Sequence, residues 1–281
     1  FAFLGHILIE MGYCKEAQVF ALLKAQKIRR NEGLLKELED ALASRGLLLT
    51  LDQLGESVTS LEAARTATDA YLVILQKIVA SGIERNVSVK LTQLGLDLDR
   101  AHATDNLRRI LDLGQAHGFF VRIDMENSPY TDVTLDIFET MWGLGYHNAG
   151  VVLQSALHRS EKDLARVNAL GARVRLVKGA YKEPREVAYQ SKADVNACFE
   201  RMTKTLLLEG NYPAIATHDV QMIEFTKRVA AEHAIARDRF EFQMLYGIRR
   251  DLQTALVADG YRMRVYVPFG TEWFPYFMRR L

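Results

Sequence analysis

Eight short runs rich in β-branched and aromatic residues recur from residue 47 onwards, and they constrain the fold more than any other feature of the sequence. The runs are LLLTLDQLG (47–55), VSVKLTQLG (87–95), FFVRIDMEN (119–127), AGVVLQSAL (149–157), RVRLVKGAY (173–181), YPAIATHDV (212–220), RFEFQMLYG (239–247) and RMRVYVPFG (262–270). Longer amphipathic stretches lie between them, each long enough for the crossover helix that parallel pairing requires. The pattern therefore predicts eight βα units.

Eight such units over residues 46–281 match the size and strand count of a (β/α)₈ barrel of the TIM type, in the α/β class. The alternative is an open doubly wound sheet, which usually has fewer strands and, when it binds a dinucleotide, a GxGxxG after its first strand. That motif is absent from the sequence. We therefore predict a barrel over 46–281, preceded by an N-terminal helical arm over 1–45, where apolar residues recur at helical spacing.

Composition excludes several classes of function. Lys plus Arg (36) nearly equals Asp plus Glu (35), so no overall field attracts nucleic acid. The apolar opening FAFLGHILIEMGY has no basic leader and is too short to span a bilayer. Cys14 and Cys198 lack metal-site spacing and are typical of reduced thiols. We expect a cytoplasmic protein without a nucleic-acid partner, whose membrane contact, where present, is peripheral.

Polar side chains interrupt seven of the eight runs, mostly towards their carboxyl ends. Strands buried on both faces should be almost purely apolar. The interrupting residues are Lys90, Arg122, Asp124, Gln154, Arg175, Lys178, Thr217, His218, Gln243 and Tyr266. Because the carboxyl ends of barrel strands meet at one rim, where active sites lie, the pattern predicts a functional site there.

Structural interpretations of these residues stay open. Arg122 and Asp124 are two apart, share a strand face and could pair with each other or with neighbours inside the barrel. Lys90 could instead neutralise Asp124 as a structural ion pair. Arg175 needs an acceptor, which a carboxylate or a cofactor could supply. His218 is more typical of a hydrogen-bonding residue than of a metal ligand, and no HExxH supports a catalytic metal, so no metal site is predicted.

The end of the chain, WFPYFMRRL, predicts a helix with Pro275 in its first turn. Tyr276, Arg279 and Arg280 then stand at i, i+3 and i+4, on one face. Cations at a helix C-terminus favour its dipole, which accounts for one arginine. A face with two arginines also suits a carboxylate, which guanidinium groups bind with fork geometry.

The assembled motifs resemble those of proline dehydrogenases, especially the monofunctional bacterial form. The resemblance covers residues 46–281, in order, and leaves residues 1–45 unmatched. It is carried by LDQLGE, VSVKLTQLG, RIDME, VVLQS, VRLVKGAYKEP, ATHD, FEFQMLYG and VYVPFGTEWFPYFMRRL.

This resemblance implies a flavoenzyme whose barrel holds FAD at its carboxyl-end rim. Such an enzyme oxidises L-proline to Δ1-pyrroline-5-carboxylate by hydride transfer to the flavin N5, and passes electrons to a membrane quinone. The expected location is cytoplasmic, with peripheral contact at the inner face of the cell membrane. Bifunctional relatives add an aldehyde dehydrogenase domain, for which this chain has no room, so a separate pyrroline-5-carboxylate dehydrogenase is expected to take the product.

Residue roles carried over from the resemblance fall into four groups. Asp124 and Arg175 match catalytic positions, with Arg175 near the flavin N5. The substrate-binding positions match Lys90, Leu245, Tyr266, Tyr276, Arg279 and Arg280. The flavin contacts match Met125, Gln154, Arg175, Val177, Lys178, Gly179, Ala180, Thr217 and His218. Glu56 matches an acidic residue that pairs with Arg279 and gates the site.

Two other functions remain as alternatives. A lysine Schiff-base aldolase would use Lys90 or Lys178 as its nucleophile, because barrels often place a lysine on a strand. A non-catalytic barrel would act as a scaffold through residues 1–45, but that interpretation leaves the polar strand ends unexplained.

Overall fold

Eight parallel strands close into a barrel in chain order, with β1 beside β8. The computed structural model describes residues 32–55 and 57–270. The strands are β1 Leu47–Gln53, β2 Asn86–Val89, β3 Phe120–Ile123, β4 Ala149–Gln154, β5 Arg173–Val177, β6 Ala214–Ala216, β7 Glu241–Leu245 and β8 Arg262–Phe269. The predicted (β/α)₈ barrel and all eight of its strands are confirmed.

Helices follow or precede these strands around the outside of the barrel. They are α1 Glu32–Ala43, α2 Leu61–Ser81, α3 Arg100–Ala116, α4 Thr131–Gly143, α5 Ser160–Ala169, α6 Lys192–Glu209, α7 Val220–Glu232 and α8 Arg250–Ala258, with a 3₁₀ turn at Ser128–Tyr130. Ser60, Ser191 and Asp219 are the N-caps of α2, α6 and α7, and each side chain accepts a backbone N–H two or three residues on. Within the described residues, no helix is long and apolar enough to cross a membrane.

The helix predicted just before the barrel is present as α1. Leu42 of this helix is buried, and the Glu39 carboxylate accepts the backbone N–H of Glu84 at 3.0 Å. This contact places α1 against the amino end of β2. Residues 1–31 lie outside the described residues, so the division of the chain after residue 45 stays a prediction.

The apolar core lies between the sheet and the helices. Val121 and Ile123 of β3 are fully buried in it, and so are Tyr71, Leu75 and Ile78 of α2 to within 1% exposure. Cys198 of α6 is a free buried thiol, and burial raises its pKa to about 11. Cys14 lies outside the described residues.

Alternate strand residues point into the barrel, where polar side chains of different strands meet. Towards the amino ends, Arg264 of β8 pairs with Glu241 of β7 at 2.7 Å and with Glu84 at 2.6 Å. Arg122 is close enough to interact with the Glu241 charge, and it donates to the carbonyl oxygens of Val151 and Arg173, at 2.9 and 2.6 Å. We call Arg122, Glu241, Arg264 and Glu84 the lower polar layer.

Of the two pairings that the sequence leaves open for Arg122, the structure shows the one with neighbours inside the barrel and not the one with Asp124. The two share the inner face of the barrel, but Arg122 lies one step nearer the amino ends and uses backbone carbonyls. Asp124 follows β3 and pairs with other cations nearer the carboxyl ends.

Candidate active site

A cavity of about 360 Å³ opens at the carboxyl ends of the strands. It is lined by Lys90, Asp124, Met125, Val152, Gln154, Arg175, Val177, Lys178, Gly179, Ala180, Tyr181, Ala216, Thr217, His218, Asp219, Gln243, Met244, Leu245 and Tyr266. Every described residue to which the family resemblance assigns a role is on this wall. Glu56, Tyr276, Arg279 and Arg280 lie outside the described residues, and Arg122 does not line the cavity.

Asp124 and Arg175 form the centre of the site. The Arg175 Nη1 donates to the Asp124 carboxylate at 2.6 Å, and the Tyr266 hydroxyl donates to the same carboxylate at 2.8 Å. The Arg175 Nε donates to Gln243 at 2.6 Å and its other terminal nitrogen to the Ser88 hydroxyl at 3.1 Å. Arg175 is only 4% exposed, so these partners hold its guanidinium in one place.

Lys90 stands beside this pair, immediately after β2. Its ammonium lies 2.9 and 3.0 Å from the two carboxylate oxygens of Asp52, and 3.4 Å from Asp124 and from the Tyr266 hydroxyl. The suggested ion pair between Lys90 and Asp124 is therefore present, but it is longer than the ion pair between Lys90 and Asp52.

Asp52 is a residue that the sequence reasoning missed. It lies in β1, and β1 was the run to which no site residue was assigned. The available signal was an acidic residue inside the apolar run LLLTLDQ, which a strand buried on both faces rarely tolerates without a partner.

Burial and charge act in opposite directions on this cluster. Burial alone would raise the pKa of Asp124, but Lys90 and Arg175 outweigh it and lower that pKa below its ordinary value. Burial alone would lower the pKa of Lys90, but Asp52 and Asp124 raise it well above its ordinary value. Burial and the two carboxylates raise the pKa of Tyr266 well above its ordinary value. At neutral pH Lys90 is therefore an ammonium, Asp124 a carboxylate and Tyr266 a neutral phenol.

Another part of the wall is formed at the ends of β4 and β5. The Gln154 amide donates to the Glu126 carbonyl at 2.7 Å, which orients the side chain. Gly179 has φ +116°, and a Cβ there would lie 3.0 Å from the Gln154 Oε1 and 3.2 Å from the Ala156 Cβ. Glycine is required at this position both by the backbone angle and by the close approach to Gln154.

Further along the wall, Lys178 donates to Asp219 at 2.5 Å and to Asn196 at 2.6 Å. Asp219 also caps α7. The His218 Nε2 accepts the backbone N–H of Leu245 at 3.0 Å, which links the ends of β6 and β7. His218 is thus a hydrogen-bonding residue in this structure.

Comparison with known proteins identifies the family. The family model for proline dehydrogenase matches residues 35–281. The chain belongs to the proline dehydrogenase family. The match begins within α1, earlier than the resemblance seen in the sequence motifs.

Individual proline dehydrogenases are similar over most of the chain. Proline dehydrogenase 2 of Bacillus subtilis strain 168 is 46% identical over 240 residues, covering 85% of this chain and 79% of the relative. The proline dehydrogenase of Deinococcus radiodurans is 43% identical over 245 residues, covering 86% and 79%.

Solved structures share the fold of this proline dehydrogenase family member. Proline utilization A from Bdellovibrio bacteriovorus, inactivated by N-propargylglycine, superposes with a TM-score of 0.83 at 26% identity. That superposition covers 89% of this chain and 31% of the larger one. Proline utilization A from Corynebacterium freiburgense superposes with a TM-score of 0.80 at 21% identity, covering 94% and 31%. The chain thus spans about a third of these proteins.

Proposed function

We propose that this chain oxidises L-proline to Δ1-pyrroline-5-carboxylate with FAD as its cofactor. One observation carries the proposal. The described residues to which the family resemblance assigns a role all line one cavity, around a buried cluster of two cations and two carboxylates. Such a cluster suits a small zwitterion, which brings both a carboxylate and an amine.

The wall at β4 and β5 fits a flavin. Val152 of β4 and Val177 of β5 supply apolar side chains, joined by Met125 from just beyond β3, and Gln154 and Lys178 supply polar groups. Gly179 leaves open the space that any side chain would fill. These residues, with Ala180, Thr217 and His218, would hold the cofactor. When bound, FAD supplies the two-electron acceptor for the hydride.

The cations would hold the substrate and set its protonation. Lys90 would donate to the substrate carboxylate, together with Arg279 and Arg280, whose roles stay sequence-based predictions. Tyr266, Leu245 and Tyr276 would pack against the pyrrolidine ring. The positive charges of Lys90 and Arg175 disfavour the protonated amine, and a neutral nitrogen is what lets hydride leave the neighbouring carbon. Arg175 would also stabilise negative charge that develops on the acceptor.

Asp124 would act by positioning. Its carboxylate already accepts from Arg175, Tyr266 and Lys90, and its lowered pKa keeps it ionised. A carboxylate with these partners is a weak base, so we assign it the orientation of the two cations rather than proton abstraction.

We extend the proposal to the partners that the family resemblance implies. Electrons would pass to a membrane quinone at the inner face of the cell membrane, and the product would pass to a separate pyrroline-5-carboxylate dehydrogenase. Glu56 would gate the site by pairing with Arg279.

The Schiff-base alternative fits the site less well. A nucleophilic lysine needs a lowered pKa, whereas burial fails to offset Asp52 and Asp124 at Lys90, and its pKa is raised. Lys178 is held by Asp219 and Asn196. A scaffold role leaves the buried charges at the cavity without a purpose.

The visible spectrum of the purified protein, recorded without oxygen before and after L-proline, tests the proposal. We expect a flavin spectrum that bleaches with L-proline and stays unchanged with D-proline. A colourless protein that does not bind added FAD would refute the proposal. A colourless protein that borohydride links covalently to a carbonyl substrate through a lysine would favour the aldolase instead.

A further inference from the structure

Asp52 is a fully buried carboxylate that contacts the site without lining it. Its side chain has 0% exposure, and it is absent from the cavity wall. Any effect of Asp52 on a ligand must therefore pass through a residue that does reach the cavity.

Asp52 contacts two residues of the cavity wall, Lys90 and the Tyr266 hydroxyl, and Lys90, which is 7% exposed, is the charged one. Both Asp52 oxygens lie close to the Lys90 ammonium, at 2.9 and 3.0 Å. The next acceptors, Asp124 and Tyr266, are at 3.4 Å. Asp52 thus decides where the ammonium lies.

The two carboxylates divide the two cations between them. Asp124 binds Arg175 at 2.6 Å and Tyr266 at 2.8 Å, whereas Asp52 binds Lys90. Without the Asp52 charge, Asp124 would be the carboxylate left for the Lys90 ammonium. Lys90 would then be drawn to Asp124 and would compete with Arg175 and Tyr266 for it.

We propose that Asp52 is a positioning residue, which holds the Lys90 ammonium towards β1 so that Lys90 can bind a substrate carboxylate and Asp124 remains with Arg175 and Tyr266. This inference rests on the proposed function, because it takes the substrate to be a small carboxylate.

Charge alone predicts the opposite result to positioning. Asp52→Asn adds one net positive charge to the cluster, and a purely electrostatic role would tighten the binding of an anion. A positioning role predicts weaker binding, because Lys90 moves towards Asp124. The sign of the change therefore separates the two.

The test uses the flavin-loaded protein and tetrahydrofuran-2-carboxylate, a ring carboxylate in which oxygen replaces the amine. We expect Asp52→Asn to raise its calorimetric Kd about tenfold, with a similar fall in kcat/KM for L-proline. In a Lys90→Met background, adding Asp52→Asn should change the Kd by less than about twofold, because the two residues act as one unit. Asp163→Asn, which neutralises a buried aspartate paired with Arg159 on α5, should leave the Kd unchanged.

Two results would overturn the inference. These are an unchanged or tighter Kd in Asp52→Asn, whether or not its melting temperature falls, and an equal effect of that change in the Lys90→Met background. Where Asp52→Asn fails to fold, Asp52→Glu keeps the charge and moves it by one methylene. Positioning predicts a weaker Kd there as well, and an unchanged Kd refutes it. Turnover of L-proline by the wild-type protein tests the proposed function separately.

Discussion

Gly179 is the point at which the backbone itself forms the cavity wall. It follows β5 directly, has a positive φ and lies against Gln154, so two separate constraints meet at one residue. Placing any residue other than glycine at such a φ lowers the stability of the fold by about 1–3 kcal/mol, wherever it occurs. An added side chain lowers the affinity for a ligand only where the glycine lies against the bound ligand.

Gly179→Ala should therefore weaken FAD binding, by about tenfold or more, in addition to lowering stability. Gly145→Ala is the matched control, because Gly145 also has a positive φ, +95°, but nothing lies within 4 Å of a Cβ there. Fluorimetric titration of the apoprotein with FAD measures the affinity, and thermal melting measures the strain. Equal FAD affinities in the two variants would contradict the assignment of Gly179 to the flavin wall.

The strands carry two layers of buried charge, and the layers differ in what they do. The upper cluster faces the cavity, whereas the lower polar layer lies beneath it and none of its four residues lines the cavity. Glu241 is 2% exposed and has Arg264 as its charged partner on β8. Removing one member leaves a buried charge unpaired, which is far costlier than removing both.

Arg264→Met should lower the free energy of unfolding by about 3–5 kcal/mol. The double variant Glu241→Gln/Arg264→Met should recover part of that loss. Urea denaturation measures both, and kcat/KM per bound flavin should stay near the wild-type value. Arg228→Met removes an exposed arginine 3.9 Å from Glu232 on α7 and should cost less than about 1 kcal/mol. If Arg228→Met lowered the free energy of unfolding as much as Arg264→Met does, the cost in Arg264→Met could not be assigned to the burial of its ion pair.

Sequence periodicity was sufficient for the elements and for the rim of the site. Each strand is a short apolar run, and the polar residues at strand ends share one rim because the strands are parallel. Depth within the barrel was not predictable in the same way. Arg122 and Asp124 are two apart, but their partners come from strands far away in the chain, so the layer that each joins depends on register. Asp52 was missed for the same reason, since its partner Lys90 is 38 residues away.

At the scale of the whole molecule, buried carboxylates couple stability to pH. Burial alone would raise the pKa values of Asp124, Asp219 and Glu241. Their cationic partners outweigh burial, so all three pKa values lie below the ordinary value. The stability that these groups contribute is present above their unfolded values and is lost as the pH falls through the lowered folded values. Asp52 acts in the opposite direction, because burial raises its pKa.

We expect the free energy of unfolding to change little between pH 7 and about 5, and to fall steeply below about pH 4, where unfolded carboxylates take up protons. Urea denaturation across this range measures the slope. Glu241→Gln should show a shallower acid slope than the wild-type protein, because one proton-uptake site is removed. An unchanged slope would show that Glu241 does not contribute to the acid transition.

The pairing of β1 with β8 has a consequence for the order of folding. Leu47 to Gln53 align with Met263 to Phe269, so the edge of β1 finds its partner only after residue 269 has been synthesised. Contacts of such long sequence separation form late, and an unpaired strand edge is prone to join other chains. During synthesis, this edge of the first strand therefore stays unpaired until the eighth strand has emerged, and that interval is when it can join other chains.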